Sequence, residues 1–97
     1  MRFEFDWDPA KAETNRRKHV VAFEDAMGVF NDPLALSRLD EESGEGEERW
    51  VTLGRNVAGK LLLVVHTYIE LSAERVAIRV ISARSPTRHE ARQYEDE

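Results

Sequence analysis

Residues 49–83 read RWVTLGRNVAGKLLLVVHTYIELSAERVAIRVISA, and this stretch decides the fold. Three runs rich in aliphatic and β-branched residues, Arg49 to Arg55, Leu61 to Glu70 and Glu74 to Ala83, are separated by Asn56 to Gly59 and Leu71 to Ala73. Strand-like runs broken by short turn-forming segments predict an antiparallel meander. In the last run Val76, Ile78 and Val80 alternate with Arg75, Ala77 and Arg79, which gives one apolar and one basic face.

Upstream of the meander, the pattern changes from period two to helical. Phe3 and Phe5 alternate with Glu4 and Asp6, as in a short opening strand. Asp8-Pro9 is a helix start, an N-cap acceptor followed by proline at the first helical position. The helix continues from Ala10 and is broken by the consecutive β-branched residues Val20 and Val21. Phe23, Ala26, Met27 and Phe30 then fall at i, i+3, i+4 and i+7, the stripe of a second, core-facing helix closed by Asn31-Asp32-Pro33. Leu34 to Leu39 reads as a short strand, and Asp40 to Glu48, with six acids, as a loop. Downstream, Ser85-Pro86 leads into a closing helix, with Thr87-x-x-Glu90 spaced as a capping box. The expected architecture is α+β: a short N-terminal strand, two helices packed on an antiparallel sheet, and a short C-terminal helix. With both early helices on one face, the other face is expected to be open to a ligand or partner.

The 97 residues suit one domain spanning 1–97. The absence of cysteine excludes a disulfide scaffold, a thiolate metal site and a cysteine nucleophile. The longest apolar run, Leu61 to Val65, falls far short of the roughly 18 residues a membrane span needs. The N-terminus is too acidic for a signal peptide, so a cytoplasmic location is expected.

The net charge of −5 is unevenly spread. Residues 40–48 carry six acids and no base, whereas residues 49–92 carry eight basic and three acidic groups. Arg49, Arg55, Arg75, Arg79, Arg84, Arg88 and Arg92 therefore suggest an anion-binding face in the second half of the chain. Arg79 is the sharpest case, because it sits mid-strand: its face is either open to a ligand or supplies a carboxylate partner. Lys18 and His19 would place a phosphate-holding and a proton-handling group at a helix end, where the dipole favours cations in any case. His66 reads as a core or edge histidine and His89 as an exposed one. Tyr94 reads as packing, with a ring that could also stack on a base. There is no phosphate-binding glycine loop and no His-Glu-x-x-His pair, so neither a cofactor nor a metal is expected.

Several short motifs occur in order: Phe5-x-Trp7-Asp8-x-x-Lys11, Asn15-x-x-Lys18-His19, Phe23-Glu24-x-Ala26, Val29-Phe30-x-Asp32-Pro33, Glu48-Arg49, Ile78-Arg79-x-Ile81-Ser82-Ala83-Arg84, and finally Glu90 and Tyr94. Together they resemble the BrnT family of toxins. The resemblance implies a RelE-like fold and a metal-independent endoribonuclease that arrests translation. It also implies a cognate antitoxin with a ribbon-helix-helix DNA-binding domain, a heterotetramer with it, and contact with DNA only through that antitoxin. By position, its polar motif residues fall on Lys18, His19, Arg49, Arg79, Ser82, Arg84 and Tyr94. In the expected assignment Lys18, His19, Arg49 and Arg79 act in catalysis, and Ser82, Arg84 and Tyr94 bind RNA. Relatives usually carry glycine after Lys-His, where this chain has Val20, a residue that resists a left-handed helix terminus. The competing reading is a non-catalytic binding module, or a degenerate toxin, that docks an antitoxin through its arginine-rich face.

Overall fold

In the computed structural model, which describes residues 1–41 and 47–95, the meander forms as expected and becomes the centre of a larger sheet. The strands are β1 (Arg2–Asp6), β2 (Leu36–Asp40), β3 (Arg49–Arg55), β4 (Leu61–His66), β5 (Ile69–Glu70) and β6 (Arg75–Arg84). Their order is β1-β6-β4-β3-β2, with β5 also paired to β6. The sheet is mixed rather than purely antiparallel, because β1 runs parallel to β6 with Phe3 opposite Val76 and Phe5 opposite Ile78. That pairing puts the apolar residues of both strands on one face.

Residues 61–70 divide into β4 and β5, yet His66 opposite Val80 and Ile69 opposite Ala77 continue one register along β6. The irregularity lies one step earlier. Val65 faces Ser82 while His66 faces Val80, so Ile81 is an extra, bulged residue. Bulges bend a strand and redirect its side chains, and this one adjoins the cleft described below.

Helix α1 (Pro9–His19) begins as the sequence indicates: the Asp8 carboxylate accepts a hydrogen bond from the Ala10 N–H at 2.9 Å. The expected second helix is only one turn long, α2 (Phe23–Ala26), and continues as a 3₁₀ helix over Met27–Asn31. Its buried stripe is accordingly Phe23, Ala26 and Val29, the three-residue period of 3₁₀ geometry. These residues join Val21, Leu62, Val64, Val76, Ile78, Val80 and Ala83 in the main core. Beneath the 3₁₀ helix lies Gly54. A Cβ there would come within 3.0 Å of both the Val29 and the Ala35 side chains, so only glycine lets the two layers approach this closely.

The opposite face is not wholly free. Helix α3 (Arg88–Glu95) lays Tyr94 on Val51, Leu53 and Leu63. The Thr87–Glu90 capping box is present, with the Thr87 N–H donating to Glu90 at 2.8 Å and the Glu90 N–H donating to Thr87 Oγ1 at 3.2 Å. Most of the expected acidic loop, residues 42–46, lies outside the described residues, as do 96–97; Asp40, expected in the loop, closes β2 opposite Arg49.

His66 is a core residue, 2% exposed. Its Nδ1–H donates to the Thr67 carbonyl at 2.8 Å, so Nε2 accepts from the Thr52 hydroxyl at 2.7 Å. Phe30 packs edge-on against the ring. Burial pushes the His66 pKa down, which keeps the imidazole neutral in the folded protein. In the unfolded chain His66 titrates near 6.5, so below about that pH the unfolded state binds more protons than the folded one. The contribution is therefore fully present above the unfolded pKa and declines as pH falls towards the lower, folded value. The melting temperature should drop between pH 7 and pH 5, and His66→Gln should flatten that slope; an unchanged slope would exclude His66 as its source.

Candidate active site

α1 has almost no apolar face: Asn15 is its one buried residue. Lys11, Thr14, Asn15 and Lys18 recur at i, i+3, i+4 and i+7, a polar stripe where a docking helix normally carries an apolar one. This stripe borders an open cleft of about 320 Å³ whose far wall is Ile81 and Ser82 at the β6 bulge, and His19 closes its end. Lys18, His19 and Ser82, expected from separate motifs, are thus brought together. Lys11, Thr14 and Asn15 join them; their i, i+3, i+4, i+7 spacing with Lys18 is the sequence signal that marks this stripe.

The cleft exists because β1 ends at Asp6, opposite Arg79, and leaves the edge of β6 without a partner strand from Val80 onward. Asn15 occupies that edge. Its Oδ1 accepts from the Ala83 N–H at 3.1 Å, and its Nδ2 donates to the Ala83 carbonyl at 2.8 Å and to the Val21 carbonyl at 3.0 Å.

Val20 adopts φ 57°, ψ 33°, the left-handed terminus that the sequence gave reason to doubt, with its N–H bonded to the Arg16 carbonyl at 2.9 Å. Val20 is 82% exposed, so its side chain clashes with no packed neighbour. The strain remains in the backbone, about 1–2 kcal/mol. Val20→Gly should raise stability by about that amount, read as a higher urea midpoint at constant m-value; a lower midpoint would mean that the valine side chain makes a compensating contact.

The expected basic face is divided by ion pairs. Arg75 grips Glu4, with Nε–Oε2 at 2.7 Å, and the pairing holds the Glu4 carboxyl below the usual range. Arg79 pairs with Asp6 at 3.0 Å. Both acids come from β1, more than 70 residues away in sequence. Arg79 and the Thr67 backbone are neighbours, since the Thr67 N–H donates to the Arg79 carbonyl at 3.0 Å. Arg49 precedes Trp50, which faces His66, so it lies level with Thr67 and about 10 Å, two strand spacings, from Arg79.

Arg84 and Tyr94, expected to bind RNA, each have an intramolecular partner. Arg84 makes a bidentate pair with Glu90, at 2.8 and 2.9 Å, which together with the capping bonds holds the Glu90 pKa down at about 2. Tyr94 is 9% exposed. Its hydroxyl donates to Asp32 Oδ2 at 2.7 Å, and Arg55 lies over the ring, 5.2 Å from its centroid. Asp32, which the sequence offered only as a helix stop, is a hub: it also accepts from the Arg55 N–H at 2.8 Å and the Leu34 N–H at 2.9 Å. The Arg55 N–H bond leads these in holding its pKa below the ordinary carboxylate value.

The family profile described as "Ribonuclease toxin, BrnT, of type II toxin-antitoxin system" matches residues 7–90. The chain belongs to this family. Comparison with curated proteins gave no match. Among solved structures, the 1.1 Å crystal structure of the Brucella abortus ribonuclease toxin, BrnT, is similar, with a TM-score of 0.58 at 21% identity; the match covers 90% of this chain and 100% of that one. At that identity the likeness establishes the fold. BrnT membership carries a ribonuclease toxin activity and an antitoxin partner. Among the described residues, no three histidine or carboxylate side chains gather as metal ligands, and no helix is long and apolar enough to cross a membrane.

Proposed function

We propose that the chain is an endoribonuclease that cuts RNA without a metal ion and thereby inhibits translation in the cytoplasm. The observation that carries this reading is the meeting of Lys18, His19 and Ser82 around one cleft, with Lys11 beside them. Metal-free cleavage uses the substrate's own 2′-hydroxyl as nucleophile. It requires a base for that proton, an acid for the departing 5′-oxygen, and cations for the charge on the phosphorane. Lys18 and His19 supply proton handling, and Ser82 a hydrogen bond to the backbone.

Arg79 lies on the same strand as Ser82 and supplies phosphate charge. Its ion pair with Asp6 is exposed, with side-chain exposures of 46% and 67%, so exchanging that carboxylate for a phosphate costs little. Arg49, about two strand spacings from Arg79, holds a neighbouring phosphate. Arg84 and Tyr94 support this surface from beneath rather than touch RNA.

The antitoxin carries a ribbon-helix-helix domain, forms a heterotetramer with the toxin and makes the contacts with DNA, while the fold groups with RelE-like ribonucleases. The resemblance of the motifs supports this reading. The alternative is a non-catalytic module that docks an antitoxin through its arginine-rich face; the pairing of Arg75 with Glu4 and of Arg84 with Glu90 weighs against it.

Labelled single-stranded RNA incubated with the purified protein in EDTA should be cut internally and leave 2′,3′-cyclic phosphate ends. A requirement for magnesium would refute the metal-free scheme. Absence of cleavage both alone and with ribosomes would refute the nuclease reading.

A further inference from the structure

We infer that Asn15 is the positioning residue of the cleft, setting the distance of Lys18 and His19 from the β6 bulge. This rests on the reading of the cleft as the site of RNA cleavage.

A helix usually docks on a sheet through an apolar stripe, and many weak contacts then share the task of holding it in place. α1 departs from this pattern. Of its residues only Asn15 is buried, at 6% exposure, and only Ala12 is counted among the hydrophobics packed against the main core. Its attachment near the cleft is therefore directional. The Asn15 amide presents one donor and one acceptor to the Ala83 carbonyl and N–H, as the peptide of a neighbouring strand would. It occupies the stretch of β6 that β1 does not reach, and so satisfies two backbone groups that would otherwise lack a partner there.

The second Nδ2 bond, to the Val21 carbonyl, fixes the chain just beyond the strained Val20. One planar group thus ties three points together: the helix, the segment that leaves it, and the strand next to Ser82. Lys18 follows Asn15 by three residues, on the same helical face, and His19 follows Lys18. A shift of the amide moves both. Bond directionality makes this placement sensitive to small changes, because N–H···O bonds weaken steeply away from linearity. A displacement of about 1 Å at a reacting group is enough to cost on the order of a hundredfold in rate.

The test compares Asn15→Ala and Asn15→Gln with the native protein, using RNA cleavage at 25 °C and thermal unfolding by circular dichroism. Asn15→Ala removes all three bonds. Asn15→Gln keeps an amide but moves it outward by one methylene. Both variants should lower kcat at least tenfold per folded molecule while KM changes less than threefold, since the cations that hold RNA remain. Normal kcat with a reduced melting temperature would overturn the proposal and leave Asn15 a residue of the fold alone. So would failure of both variants to fold. Lys18→Ala and His19→Ala serve as controls: if both cleave normally, the cleft is not the active site and the functional reading fails. If they lose activity while the Asn15 variants retain kcat, only the positioning role fails.

Discussion

Replacing Lys18 and His19 singly by alanine should lower kcat for RNA cleavage by about 10²–10⁴-fold for whichever residue transfers the proton, the range for loss of a general acid or base. The other substitution should have a smaller effect, mainly on KM. The asymmetry follows from the geometry. Both side chains lie at the C-terminal end of α1 beside the same cleft, but only one of them can be the group that transfers the proton. Neither belongs to the buried core, so the melting temperature should stay within a few degrees of the native value. A rate profile against pH separates the roles, because losing the proton-transfer group removes one limb of the curve, whereas losing a phosphate-binding cation lowers the whole curve. Two variants with native kcat would place the chemistry elsewhere on the sheet.

The second large effect is expected at Asp32, far from the cleft. Asp32→Ala removes the acceptor of the Tyr94 hydroxyl and of two backbone N–H groups, Arg55 and Leu34. Bonds to a charged acceptor contribute about 1.5–3 kcal/mol each when well shielded. Leu34 and Arg55 are exposed enough to recover water, so the expected total is about 2–4 kcal/mol. For a chain of this size that lowers the melting temperature by roughly 10–25 °C. Asp32→Asn should cost less, since one oxygen acceptor remains. A shift of only a few degrees for Asp32→Ala would mean that water takes over all three bonds. Because α3 is tied down through Tyr94, amide exchange in α3 should accelerate together with the loss of stability.

Most, though not all, of the signals carried by neighbouring residues are met in the structure. The meander, the Asp8-Pro9 helix start and the Thr87–Glu90 capping box each depend on residues a few positions apart, and all are present. The parallel docking of β1 on β6 was not legible, because it joins Phe3 and Phe5 to Val76 and Ile78 across more than 70 residues. The same distance explains the basic face. Counted along the chain, Arg75 and Arg79 have few acidic neighbours, but the fold brings Glu4 and Asp6 to them. The shortened second helix turned on Val29, which is buried in 3₁₀ geometry, whereas an α-helical stripe would have used Met27. At the candidate site, the motifs supplied Lys18, His19 and Ser82, and only the bulge at Ile81 shows how a strand residue comes to face a helix end. Tyr94 and Arg84 were recognised as motif residues, but a motif does not distinguish a side chain that touches RNA from one that holds the surface in place.

The long reach from β1 and α1 to β6 also bears on when the protein becomes dangerous to its own cell. Lys18 and His19 are synthesised more than 60 residues before Ser82 and the edge of β6. Until then β1 has no parallel partner and Asn15 no strand to hold, so a ribosome carrying an unfinished chain carries no cleft. Folding dominated by such distant pairings is slow compared with local helix formation. Truncated products that end before β6 should therefore lack RNA cleavage, and the interval between synthesis of β6 and assembly of the sheet gives an antitoxin time to meet the toxin before the cleft forms.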